Sequence, residues 1–201
     1  MSTEAPKAKA PQRARGVQRV TELLDAAASL FVQQGYDSTT MTEIAQRAGA
    51  SIGSLYQFFP SKEVLAEGLF SRYVERLSSR LEALIEGAPN LSTKRLADQL
   101  VDLMLEVRSD RDAAVALSSS IAGIVERRKP LRTATRRQIS AILRAVNPKV
   151  PEKAAAEAAV LIGNVLKIVP ILAKEEEDGV HALVAQARQM LTAYMERVVK
   201  R

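Results

Sequence analysis

The chain has 201 residues, of which 47% are hydrophobic and 26% charged, with no Cys, no Trp and one His. The absence of Cys excludes a disulfide framework and any thiolate metal site, and a lone His makes neither a metal centre nor a catalytic triad. No uninterrupted apolar run approaches the roughly 18–20 residues of a membrane span, and residues 1–16 lack the apolar core of a secretory signal, so a soluble, cytoplasmic chain with no membrane partner is expected.

Lys and Arg number 29 against 23 Asp and Glu, a net charge of +6. The excess reads as concentrated at the N-terminus, where residues 1–19 hold Lys7, Lys9, Arg13, Arg15 and Arg19 against Glu4 alone. A Pro- and Ala-containing basic arm cannot bury enough apolar surface to fold alone, so residues 1–16 are expected to be disordered until they meet an anion. From there Val20, Leu23, Leu24, Ala27, Leu30 and Phe31 recur at helical spacing, which predicts a helix over 17–34 that stops at Gly35.

Next, Thr40 and Glu43 form the spacing of a capping box ahead of Ile44, Ala45 and Ala48, a helix that ends at Gly49. Ser51 then caps a further helix to about Phe58, with Leu55 and Phe59 facing inward, and Pro60 and Ser61 restart the chain with Lys62 in the next first turn. Two short helices joined by a glycine turn have the form of a helix-turn-helix, in which the second helix enters the major groove of DNA. Small residues at Ser51, Gly53 and Ser54 permit close approach to base edges. Thr40, Tyr56 and Gln57 can hydrogen-bond phosphates, and Lys62 adds a positive charge beside them. A plain aromatic core patch is the competing reading of Leu55, Tyr56, Phe58 and Phe59, and for Leu55 and Phe59 it is the better one.

The stretch "GYDSTTMTEIAQRAGASIGSLYQFFPSKEVL", residues 35–65, resembles the tetracycline-repressor (TetR) family of transcriptional regulators, and the match is specific within 17–66. The resemblance implies that Thr40 and Tyr56 touch phosphates, that Thr42, Ile52, Gly53 and Ser54 face bases, and that Lys62 clamps the DNA backbone. Phe58 departs from the pattern, standing where the family often has a phosphate-bonding His or Tyr. Ile52 is apolar, which suits a thymine methyl.

Beyond residue 66 only pattern remains, and it is helical, with expected helices over 62–86, 92–107, 110–128, 130–146, 152–173 and 180–199. The short connections include "SD" at 109–110, "KP" at 129–130 and "NPKVP" at 147–151, as between neighbouring helices of a bundle. The expected fold is therefore all-α: a three-helix helix-turn-helix DNA-binding domain over 17–61, joined to a helical ligand-binding and dimerisation domain over 62–201. The segment 152–173 is apolar on more than one stripe, with small residues up to Gly163, so it must cover two surfaces. Pro170 is expected to kink or end it. The resemblance implies a homodimer through 152–173 and 180–199.

Candidate ligand-pocket residues are Ser118, Ser119 and Ser120 in an apolar helix, with Asn164 and Lys167 interrupting 152–173. His181 is expected at the surface, and "KEEED" at 174–178 reads as a solvated helix end. Without Cys, a Gly-rich phosphate loop or a Glu-x-x-His pair, no enzyme, metal or cofactor is expected. The expected function is a ligand-responsive dimeric regulator, a repressor in preference to an activator, bound to an inverted-repeat DNA operator and released by an unidentified small-molecule effector. The alternative is a helical interaction or carrier protein that uses the same shape without binding DNA.

Overall fold

The computed structural model describes residues 14–117, 122–175 and 182–200, and every regular element among them is helical. In chain order these are α1 (Ala14–Gln34), α2 (Met41–Arg47), α3 (Ile52–Phe58), α4 (Lys62–Gly87), a 3₁₀ turn (Ala88–Asn90), α5 (Thr93–Glu106), α6 (Arg108–Leu117), α7 (Ala122–Val146), α8 (Glu152–Glu175) and α9 (Ala182–Val199). The chain divides into two compact units, Met1–Val74 with Ser109–Arg128, and Glu75–Arg108 with Lys129–Arg201.

In the first unit, α1 begins at Ala14, inside the stretch expected to be a disordered arm. Its first turns are held by side-chain pairs on one face: Arg19 meets Glu22 at 2.8 Å and Gln18 donates to the same carboxylate at 3.0 Å. Further along, α1 buries Leu23, Leu24, Ala27 and Phe31. Helices α2 and α3 have seven residues each, too few to persist alone in water. They are held by burial of Ile44 and Leu55, each contributing about 1.5–3 kcal/mol. Phe59 lies against α4 at Gly68, where an added Cβ would come within 3.0 Å of its ring.

Arg72 of α4 joins three helices of this unit, pairing with Asp25 of α1 at 2.8 Å and with Asp110 of α6 at 2.5 Å. Asp110 is 2% exposed. The expected break at 109–110 is therefore absent: α6 starts at Arg108 and carries Asp110 inside it as a buried, paired acid. Of the expected helix over 110–128, α6 covers the part to Leu117 and α7 the part from Ala122, with 118–121 outside the described residues; the expected break at 129–130 is bridged by α7, with Pro130 in its interior. A proline removes one i→i−4 bond and costs about 3 kcal/mol. A helix of 25 residues retains its remaining bonds on both sides. Ser118, Ser119, Ser120 and His181 lie outside the described residues, as does most of the 174–178 charge run.

In the second unit, α5, α8 and α9 pack together. Leu96, Leu100, Leu103, Ile162, Leu166, Leu191 and Met195 are all buried. Arg188 of α9 ties to α5, donating to the Asp98 carbonyl at 2.8 Å and meeting the Asp102 carboxylate at 2.5 Å. Asn147 donates to the Val199 carbonyl at 2.7 Å, capping the end of α9. Pro170 does not end α8, which continues to Glu175.

One expectation for α8 changes. Glu152–Lys174 is long and apolar enough, by length and composition, to cross a membrane, with mean hydropathy 1.8; Asn164 and Lys167 interrupt the apolar run without lowering its average below that of a span. The helix buries Ala155, Ala158, Ala159, Ile162 and Val169 and exposes a second apolar stripe of Leu161 (54%), Ile168 and Ile171. Gly163 lies near Ile139 of α7, 3.7 Å from the position of an added Cβ.

Candidate nucleic-acid interface

The corner that presents α2 and α3 is built on two glycines and one lysine. Gly35 and Gly49 take φ of +81° and +59°, left-handed values that a β-carbon disfavours. At Gly49 the turn is closed by its own N–H bonding the Gln46 carbonyl at 3.1 Å and by Ala50 N–H bonding Ala45 at 2.9 Å. α3 follows within two residues, capped by the Ser51 hydroxyl, which accepts from Ser54 N–H at 3.1 Å.

The Lys62 ammonium donates to the carbonyls of Tyr36, Asp37 and Thr39 at 2.8, 3.2 and 2.9 Å and sits 4.4 Å from the centre of the Tyr36 ring. Those three bonds use all three of its hydrogens. Its position differs from that of an open phosphate clamp: it gathers the carbonyls of the α1–α2 turn. Tyr36, buried beside Phe31, donates its hydroxyl to Glu63 at 3.2 Å. Burial first, and then the Glu63 charge, push the Tyr36 phenol well above its usual range. Tyr36 and Glu63 were absent from the site read from the sequence, since nothing local signals that residues 27 apart will bond.

Thr40 and Glu43 complete the capping box. The Glu43 carboxylate accepts from the Thr40 N–H at 2.8 Å and from its hydroxyl at 2.8 Å. The backbone bond, then the hydroxyl bond, hold the Glu43 carboxyl below the ordinary glutamate range. Thr40 thus spends both donors on Glu43, and its hydroxyl can reach a phosphate only by redirecting that proton.

The remaining candidates differ. Thr42, Ser51, Ile52, Gly53, Tyr56 and Gln57 are exposed and Ser54 is half-buried, and among the described residues no intramolecular partner engages the side chains of Thr42, Tyr56 or Gln57. Ile52 (40%) and Tyr56 (49%) are large apolar surfaces left to solvent on a helix whose inner side is filled by Leu55. Gly53 has nothing within 4 Å of an added Cβ, so packing within the chain does not require a glycine there. Phe58 is half-buried. Of the pocket candidates, Asn164 and Lys167 are exposed on α8 and bond each other at 3.0 Å; they stand on its outer side and do not line its buried face.

Residues 23–69, which contain α2, α3 and the buried part of α1, match the family model of bacterial regulatory proteins of the tetR family. Over those residues the chain is similar to the tetR family. It is 34% identical over 99 residues to the HTH-type transcriptional repressor KstR2 of Rhodococcus jostii, covering 49% of this chain and 48% of that protein. It is 36% identical over 81 residues to the A-factor receptor protein of Streptomyces griseus, covering 38% and 29%. The chain thus spans about half or less of the curated relatives it matches. In fold it resembles the SmeT–triclosan complex, with TM-score 0.67, 19% identity and coverage of 88% and 90% of the two chains.

Proposed function

We propose that this chain is a ligand-responsive, dimeric, DNA-binding transcriptional regulator of the tetR family that acts in the cytoplasm as a repressor. The observation that carries the reading is α3, a capped helix that is anchored inside by Leu55 and leaves Ile52, Gly53, Tyr56 and Gln57 outward without partners. Solvent gives a folded chain no reason to expose Ile52 and Tyr56 on one short helix beside an unneeded glycine; a major groove does. In this reading 17–61 is the DNA-binding domain and 62–201 binds effector and forms the dimer. Ile52 meets a thymine methyl, Ser54 meets base edges, and Tyr56, Gln57 and Thr42 bond the backbone or adjacent bases. Lys62 acts from behind, holding the α1–α2 turn so that α2 braces α3.

The exposed stripe of Leu161, Ile168 and Ile171 supports self-association through α8 with α9, because a second copy covers the same apolar surface on both partners. That the fold also occurs in a complex with triclosan supports a small-molecule effector here. Effector binding in 62–201 would favour a dimer whose recognition helices are wrongly spaced for the operator. A carrier that only borrows the shape has no use for the outward face of α3, and the relatives named as repressors and receptors favour the regulator.

Selection of bound duplexes from a random pool tests this. Two α3 helices related by a two-fold axis reach half-sites about 34–36 Å apart, or a multiple, so an inverted repeat is expected. Failure of any sequence to enrich refutes specific DNA binding.

A further inference from the structure

The charge of this chain is not where its N-terminus suggests. Residues 122–146 hold seven Lys and Arg against Glu126 alone, a net +6, so the remainder of the chain sums to zero. All of these residues lie in α7. Lys129, Arg132, Arg137 and Arg144 are exposed, and Arg136 is half-buried. None of the five has a carboxylate partner among the described residues, whereas Arg72, Arg76, Arg80 and Arg188 are each paired with Asp or Glu.

At about 100° per residue, Lys129, Arg132, Arg137 and Arg144 fall within an arc of roughly 140°, and they span about 22 Å along the axis at 1.5 Å per residue. Four like charges in a row repel one another, and the one acid on this helix, Glu126, lies at the Lys129 end of the arc, a single charge too few to offset them. From this patch we infer that α7 is a second, sequence-independent contact for the phosphate backbone of double-stranded nucleic acid, separate from α3.

Three features select that occupant. The patch is mostly arginine, whose planar fork matches phosphate oxygens where lysine offers only a point charge. A duplex of about 22 Å carries roughly 13 phosphate charges, about 6–7 along each strand, which suits a row of cations. An anionic membrane suits it less. Interfacial helices insert an apolar face opposite the basic one, whereas Ile139, Ile142 and Leu143 of α7 are buried in the core of its own unit.

The test uses the full-length chain and a 30-base-pair duplex of random sequence, with affinity followed from about 50 to 200 mM salt. Replacing Arg132, Arg137 and Arg144 together by Gln is expected to lower the magnitude of the salt slope by up to about 2.7 per protomer, at roughly 0.9 per phosphate. Across that salt range the wild type then loses about 40-fold more affinity than the variant. The three side chains are exposed, so circular dichroism and Tm should not move. Replacing the same three by Lys should retain most of the slope.

The α7 dependence should persist when Ser54, Tyr56 and Gln57 are changed to Ala, which separates it from failure of the α3 reading. An unchanged slope in the Gln variant overturns the inference. So does equal loss in the Lys variant, or a loss confined to phosphatidylserine vesicles with duplex binding intact.

Discussion

Gly53→Ala separates what the fold needs from what a bound partner needs. A glycine within a helix is less stable than alanine by about 0.5–1 kcal/mol, because it loses more backbone freedom on folding. At Gly53 nothing lies within 4 Å of an added Cβ, and the backbone does not take a positive φ. The methyl group therefore meets no clash within the chain, and the variant should be more stable by about 0.5–1 kcal/mol. For a protein of this size that raises Tm by about 1–4 °C. If α3 lies against base edges, the same methyl enters a close-packed contact and costs about 1–3 kcal/mol, or roughly 5- to 150-fold in affinity for the selected operator. Thermal unfolding followed by circular dichroism and fluorescence anisotropy with a labelled operator give both numbers. A variant that is more stable and binds as tightly as wild type refutes the placement of Gly53 at the interface. A variant that is less stable refutes the claim that its side-chain space is empty.

Other consequences follow from the same geometry. Lys62→Met keeps the stem but strands three carbonyls, so thermal unfolding should show a loss of about 1–3 kcal/mol; an unchanged Tm with a salt slope reduced by about 0.9 would instead make Lys62 a phosphate contact. Arg72→Leu leaves the buried Asp110 without its arginine and should cost about 3–5 kcal/mol in denaturant unfolding, largely recovered by adding Asp110→Leu. Ile168→Glu places a charge on the outer stripe of α8 and should yield monomers by sedimentation at micromolar concentration with helicity retained, whereas Gly163→Glu should disturb packing against Ile139 as well. Because the folded state holds the Tyr36 proton to higher pH than the unfolded chain does, stability should fall as pH rises past the ordinary tyrosine value near 10, and Tyr36→Phe should flatten that slope in pH-dependent unfolding.

What was legible in the sequence was what is decided within a few residues. The caps at Thr40 and Ser51, the glycine at 49 and the apolar spacing of α1 each act over one or two turns, and each is found in place. Elements decided by distant partners were not legible. Asp110 looked like a loop residue because the Arg72 that accommodates it lies 38 positions away. Pro130 looked like a stop because a single lost hydrogen bond weighs heavily in a local reading and little in a long helix. Lys62 was recognisable as a cation at the right place, but its three carbonyl partners come from the preceding turn. The +6 excess over 122–146 is countable in the sequence, but that its cations share one face and lack carboxylate partners among the described residues is visible only in the folded helix. The pocket candidates at 164 and 167 failed for a similar reason: a polar interruption of an apolar helix marks a cavity only if it points inward.

The most direct test of the account is to repeat the random-duplex selection with Ile52→Ala beside the wild type. If α3 reads bases, the wild type enriches an inverted repeat, and Ile52→Ala relaxes the preference at one defined position in each half-site by roughly 1–3 kcal/mol, while neighbouring positions keep theirs. If both proteins enrich the same sequences with the same preference at every position, Ile52 does not face a base and the central claim for α3 is contradicted.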